Sequence, residues 1–275
     1  MYARTGQQSA AFYVLPALLF TAVVFIAPLA SVIGQSFWNG QFTTHSYQSV
    51  ISSTLFQKVF VNTLVISFSS TFVALLFAYP MAYHMAKQTP RRRAFLMMIV
   101  LIPFWTSILV KSYALMIILG RNGIINTTIE YFGIPALPLL FNRFGVIVGT
   151  IHTLIPFMIF PILNSLLARD PDLGRAAQIM GAGKLRIFLK VTLPLSMPGV
   201  AASFLLAAVH TFGFYVTASL LGGRGDLMMA NLVDLYTREI LDWNMAATIA
   251  VLLFILCAVF TLLMGRTRAL STLAG

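Results

Sequence analysis

Six stretches of the chain are apolar over roughly the 20 residues that a helix needs to cross a bilayer. They cover approximately 11–33, 60–86, 94–118, 144–168, 197–221 and 246–265 of the 275 residues. Hydrophobic side chains make up 59% of the sequence and charged ones 9%, against roughly 25% charged in a soluble domain. A water-soluble fold of this length needs far more polar surface over its core. The chain is therefore expected to lie in a membrane. The strict alternation and turn spacing of a membrane β-barrel are absent, which leaves a bundle of α-helices. The predicted fold class is all-α, with six transmembrane helices in one domain, 1–275. No cleavable signal peptide is expected, because the first apolar run is too long and lacks a small-residue cleavage site.

The net charge of +11 does not mark a nucleic-acid partner, because the cations fall between the apolar runs. One set of connections holds Arg4, Lys87, Arg91, Arg92, Arg93, Arg169, Arg175, Lys184, Arg186, Lys190, Arg266 and Arg268. The other set holds Lys58, Arg121, Arg143, Arg224 and Arg238. Positive charge collects on the cytoplasmic side, so both termini are expected there. Glu130, Asp226, Asp234, Glu239 and Asp242 then lie outside, and only Asp170 and Asp172 inside. Outer connections at about 34–59, 119–143 and 222–245 are apolar enough to fold back on the bundle. The single Cys257 forms no internal disulfide and says little about redox compartment.

The longest inner connection carries RAAQIMGAGKLRIFLKVTLPL, residues 175–195. Its Gly183-Lys184 pair invites comparison with a phosphate-binding loop. That loop needs a glycine five residues before the Gly-Lys pair and a Ser or Thr after the lysine. Gln178 and Leu185 stand there instead, so the tight turn and the magnesium-binding hydroxyl are both missing. The segment reads better as helix. Asp170-Pro171 suits a helix start, and Leu173, Ala176, Ala177 and Met180 share one face. Gly181 ends or bends that helix. A basic amphipathic run follows, and Leu193-Pro194 is expected to break it before the fifth span. On residues alone, a basic helix resting on anionic lipid is a second reading.

Ala176, Ala177, Gly181, Phe188, Val191, Leu193 and Pro194 match a motif, E-A-A-x-x-x-G followed by an apolar-Leu-Pro. In this the chain resembles the inner-membrane permease subunits of bacterial ABC importers. The motif also has its usual location, two spans before the C-terminus. The likeness is closest to the spermidine/putrescine-type permeases, through IPFWTSILVKSYALMIILGRNGIIN (102–126), IPFMIFPILNSL (155–166) and LLGGRGDLMMANLV (220–233). The same subfamily includes importers of opines, phosphonates and thiamine. The resemblance implies the type I permease fold in a bacterial inner membrane. It implies that 170–195 is a coupling-helix region, with Arg175, Ala176, Ala177, Met180, Gly181 and Ala182 meeting an ATP-binding subunit. The other implied partners are a second, related permease and a periplasmic substrate-binding protein, with two ATPase copies. This chain resembles the first permease of such a pair. ATP and Mg would then sit on the partner ATPase, with no cofactor and no enzymatic activity in this chain. One position departs from the motif: its Glu is Arg175 here.

Candidate path residues come from polar and aromatic groups inside the spans. A charge in hydrocarbon costs about 2.5–3.5 kcal/mol on insertion scales, so Lys111 calls for a reason. It either faces a path or partner helix, or snorkels outward; the outer end of the span lies roughly 10 Å away by helical rise. Trp105 and Tyr113 share its span and suit cation–π contact with ammonium groups, or packing. His210 lies in the fifth span beside Phe214 and Tyr215, and His152 in the fourth; each suits packing as well as a path. His84 is expected to be structural. No metal-ligand cluster and no Ser-His-acid set is apparent. No Asp or Glu falls within any span, which counts against ion-coupled secondary transport and leaves a polyamine without a carboxylate partner in this chain.

Overall fold

The computed structural model describes residues 15–38, 40–170 and 172–273, with side chains to 265. Residues 11–14 of the first predicted span, Arg4, Pro171 and the side chains of Arg266 and Arg268 lie outside the described residues. The described chain is helical, and one isolated antiparallel bridge joins Trp38 to Phe42. In order, the helices are α1 (Leu15–Phe37), α2 (His45–Ser52), α3 (Thr54–Ala86), α4 (Pro90–Trp105), α5 (Ile108–Leu119) and α6 (Ile124–Tyr131). Then come α7 (Arg143–Ala168), α8 (Asp172–Ile179), α9 (Lys184–Phe212), α10 (Val216–Leu221), α11 (Met229–Asp234) and α12 (Trp243–Leu273). Among the described residues, six helical stretches are long and apolar enough to cross a membrane: α1, α3, Ile108–Tyr131, α7, α9 and Trp243–Gly265.

Helices α3, α7 and α9 form the centre of the bundle. Small side chains let them approach closely. The buried stripe of α3 runs through Thr63, Ser67, Ser70, Thr71, Ala74, Ala78 and Ala82. In lipid, where apolar contact alone does not drive helices together, such stripes allow tight packing. At the crossing of α7 and α9, a methyl added to Gly199 would lie 2.4 Å from Ser165 Cβ and 2.6 Å from the Pro161 carbonyl oxygen. Larger apolar groups fill the remainder, with Ile66, Leu154, Met158, Ile159 and Ile162 fully buried. Phe68 joins three helices through Phe204, Phe212 and Phe260, at ring separations of 5.5–6.3 Å. Helix α1 differs, since it packs mainly on α12 and only Ser36 of its described side chains is buried.

Two predicted spans are corrected. The third, 94–118, is not one helix. It is interrupted at Thr106 and Ser107, whose backbones are extended (ψ 138° and 137°). Pro103 supplies no amide to the preceding turn, and the polar pair follows directly. The fifth, 197–221, stops at Phe212 and resumes as α10 after Gly213–Tyr215. Its start is also earlier. Leu193-Pro194 does not break the chain, because Phe188–Thr192 form a π-helical turn in which the Leu193 amide reaches the Phe188 carbonyl. The wider turn absorbs the amide that Pro194 lacks. Helix α9 is thus continuous over 29 residues from Lys184.

The Gly199 contact gives a direct test. Gly199→Val should lower the thermal stability of the purified protein in detergent by about 1–3 kcal/mol. Gly34→Val, at a site with nothing within 4 Å, should leave the melting temperature unchanged.

Candidate functional site

At one end of the bundle lie α8 and the start of α9. Asp170 Oδ1 accepts the Asp172 amide at 2.9 Å, which orders the entry to α8. The exit is a Schellman turn. The Ala182 amide reaches the Ala177 carbonyl (3.0 Å), and the Gly181 amide reaches that of Gln178 (3.0 Å). Gly181 holds a φ of +82°, a left-handed conformation that side chains with a Cβ resist. The expected stripe Leu173, Ala176, Ala177 and Met180 is only partly turned inward. Ala177 is 9% exposed, whereas Met180 is 80% exposed. Ile179, which sequence patterning passed over, is 87% exposed. Arg175 and Ala176 face outward, Ala182 is half-buried, and Arg175 Nη1 pairs with Asp172 Oδ1 at 2.9 Å.

The segment is held firmly to the bundle. Phe188 packs edge-on against Tyr79 and Tyr83 of α3, at 6.0 and 5.3 Å. Tyr79 Oη and Ser196 Oγ are 2.9 Å apart. Arg169, at the end of α7, donates to Thr192 Oγ1 at 2.8 Å. Lys87 lies over the Tyr83 ring at 3.8 Å. Arg93 donates to the carbonyls of Met85, Ala86 and Gln88, closing the end of α3. An exposed short helix is therefore mounted on a rigid base formed by α3, α7 and α9.

A second locus lies around the middle of α7. The two helix interruptions converge there through a chain of rings. Phe104 meets Phe157 at 5.0 Å, Phe157 meets His210 at 4.7 Å, and His210 meets Phe214 at 5.0 Å. Trp105 joins through Phe104 at 5.9 Å and is otherwise exposed. Half-buried Lys111 lies close enough to act electrostatically on both His152 and His210, and both histidines are exposed. Tyr113 is exposed two residues beyond Lys111, so it points to another face of α5. Phe214 is buried. Non-helical backbone at membrane depth is tolerated only within protein or along a water-filled cavity. Phe104 and Phe157 were missed in the sequence. The available signals were the Thr106-Ser107 pair and Gly213, each interrupting an apolar run.

Tyr215 links this locus to the opposite end. Its hydroxyl donates to Asp234 Oδ2 at 2.9 Å, and Asp234 also pairs with Arg238 at 2.8 Å. Asn231 donates to the Tyr215 carbonyl (3.1 Å) and to Ser219 Oγ (2.6 Å). The loop after α10 is clamped by Asn62, which donates to the Gly225 carbonyl (2.6 Å) and accepts from Arg143 (2.6 Å). Arg143 also pairs with Asp226 at 3.4 Å. Buried Asn126 fastens the 120–137 connection through the carbonyls of Gly120 and Leu137 and the Leu137 amide.

A family model described as "Binding-protein-dependent transport system inner membrane component" matches residues 70–267. The chain belongs to this family. The permease is 32% identical over 261 residues to the spermidine/putrescine transport system permease protein PotB of Haemophilus influenzae, covering 94% of this chain and 90% of the relative. It is 30% identical over 237 residues to PotB of Escherichia coli, covering 86% of each chain. Among solved structures, a chain of a bacterial alginate ABC transporter bound to its alginate-loaded periplasmic protein superposes with a TM-score of 0.79. That match has 18% identity and covers 96% of both chains. A chain of the MetNI methionine ABC transporter gives 0.60 at 20% identity, over 79% of this chain and 98% of that one. These two likenesses establish the fold alone.

Aromatic rings and a histidine are thus gathered where two helices break. Phe157 is the common member, in contact with both Phe104 and His210. Phe157→Ala, which removes two ring contacts, should reduce uptake by about tenfold or more in cells carrying the complete transport system. Phe157→Tyr should retain uptake, and membrane levels of both variants should match the wild type.

Proposed function

We propose that this permease imports polyamines of the putrescine and spermidine class across a bacterial inner membrane, from a periplasmic binding protein to the cytoplasm. The observation that carries this reading is the likeness to two PotB proteins over most of the chain. The exposed Trp105, Tyr113 and Tyr215, with His210 and Phe214, supply ring faces suited to ammonium groups. The charge distribution supports a cytoplasmic position for both termini and for the α8 end of the bundle. Chain 1–275 then forms one permease domain, and 170–195 is its coupling region.

In this reading ATP is hydrolysed by a separate subunit, present twice, which carries ATP and Mg; this chain holds no cofactor. Arg175, Ala176, Ala177, Met180, Gly181 and Ala182 form or support the face that meets it. A second, related permease completes the path and offers cover for the exposed α1. The solved neighbours are transporters of alginate and methionine, so the fold does not favour one cargo. A second reading rests on Lys111 in a chain whose described spans hold one acid, Glu130 at the end of Ile108–Tyr131: an anionic or zwitterionic cargo, such as an opine or a phosphonate.

Two experiments test these readings. Uptake of labelled putrescine and spermidine should fall when the gene is deleted and return on complementation. Unchanged uptake, in a host without a redundant system, would transfer the cargo to the second reading. Gly181→Asp should abolish transport while the protein still inserts, because a Cβ here meets nothing within 4 Å in this chain while the φ of +82° resists a side chain, so the disturbance falls on the coupling turn alone. Normal uptake by that variant would remove α8 from the coupling role.

A further inference from the structure

The outward surface of α8 and the start of α9 has an unusual charge. Arg175 projects from α8, 77% exposed at its side chain. Immediately after the Gly181 turn lies a cleft of about 520 Å3, lined by Gly181, Gly183, Leu185, Arg186, Leu189 and Lys190. Its polar lining is cationic and its walls are leucine and glycine backbone. Ile179 and Met180 add exposed apolar area beside it. Lys184 is exposed as well. The segment carries four cations, Arg175, Lys184, Arg186 and Lys190, and two acids, Asp170 and Asp172; with Arg175 and Asp172 paired to each other, three cations stand against Asp170.

A surface of this kind, apolar at the centre and cationic at the rim, fits a partner of opposite pattern. We propose that the ATPase subunit docks here through an acidic rim, with a carboxylate facing Arg175 and an acidic, partly apolar element entering the cleft of Arg186 and Lys190. The proposal rests on the reading that α8 meets the ATPase, and adds the sign of the contact and its selectivity. Arg175 stands where the importer motif carries Glu, so the polarity is reversed at this position. The permease then discriminates against ATPase subunits whose docking groove carries a cation at that point, since unlike pairs attract and like pairs are excluded.

An anionic bilayer is the competing occupant. It is disfavoured by exposed Ala176 in the middle of α8, which offers little apolar depth to lipid but lets a protein backbone approach.

The test uses the complete transport complex, purified with both permeases and the ATPase in nanodiscs. ATPase retention is followed through a salt gradient for three variants: Arg175→Glu, the double variant Arg186→Glu with Lys190→Glu, and Gly181→Asp. Both charge reversals should weaken retention at least tenfold, and a Glu→Lys or Asp→Lys change on the ATPase rim should restore it. Charge-conserving Arg186→Lys with Lys190→Arg should behave as wild type. Wild-type retention by both reversals, with loss in Gly181→Asp, overturns the acidic rim and leaves docking at α8 standing. Retention by all three overturns docking as well. Unchanged ATPase retention, with weakened association of the reversed complexes with phosphatidylglycerol relative to phosphatidylcholine discs, assigns the cations to lipid and also overturns the proposal.

Discussion

In hydrocarbon no water stands ready to bond a free amide or carbonyl, and each one left open costs several kcal/mol. This constraint governs the whole molecule. It makes the chain helical wherever it crosses, and it makes every departure from the helix informative. The departures among the described residues include the extended pair at Thr106–Ser107, the turn at Gly120–Gly123, the gap at Gly213–Tyr215, and the π turns at Ala22–Ile26, Phe188–Thr192 and Leu235–Glu239. The first two π turns run into a proline, Pro28 and Pro194, and both keep the helix going. The breaks at Thr106–Ser107 and Gly213–Tyr215 meet near Phe157, through Phe104 on one side and His210 and Phe214 on the other. Backbone irregularity and the imidazole of His210 thus occupy the same part of the bundle.

The two ends of the bundle are built differently, in keeping with different tasks. At the α8 end, a base of aromatic and guanidinium contacts carries a small exposed helix. The base includes Phe188 against Tyr79 and Tyr83, and Arg169 against Thr192. Helix α9 is unbroken from Lys184 to Phe212, so the residues just after the Gly181 turn and those beside His210 belong to one helix. At the other end, asparagines do the fastening. Asn62, Asn126, Asn231 and Asn244 each bridge backbone from distant parts of the connections. An amide side chain both donates and accepts, so one residue can staple a loop that has no regular structure of its own.

Much of this was legible in the sequence. Six apolar runs gave six crossings, and the Asp170 start and Gly181 stop of α8 followed from local chemistry that tertiary packing did not override. The failures have a common cause. Periodicity and length detect helix, but a gap of two or three residues inside an apolar run leaves both almost unchanged. Hence 94–118 and 197–221 read as single spans. Pro194 misled in the opposite direction, because the cost of a missing amide depends on whether the turn can widen, as it does at Phe188–Thr192. The outward turn of Ile179 and Met180 was hidden for a similar reason. An apolar residue on a surface helix is assigned to the core by pattern, and only packing reveals that nothing in the described chain covers it. Phe157 had no distinguishing mark among 23 phenylalanines.

Helix α1 carries a consequence for biogenesis. Its large side chains, Leu18, Leu19, Phe20 and Phe25 among them, are exposed, and its hold on the rest of the chain is chiefly along α12. Lipid satisfies such a helix as well as protein does, because acyl chains are as apolar as leucine. This face of the subunit is therefore stable in lipid before any other protein covers it, as an apolar face of the same size in water would not be.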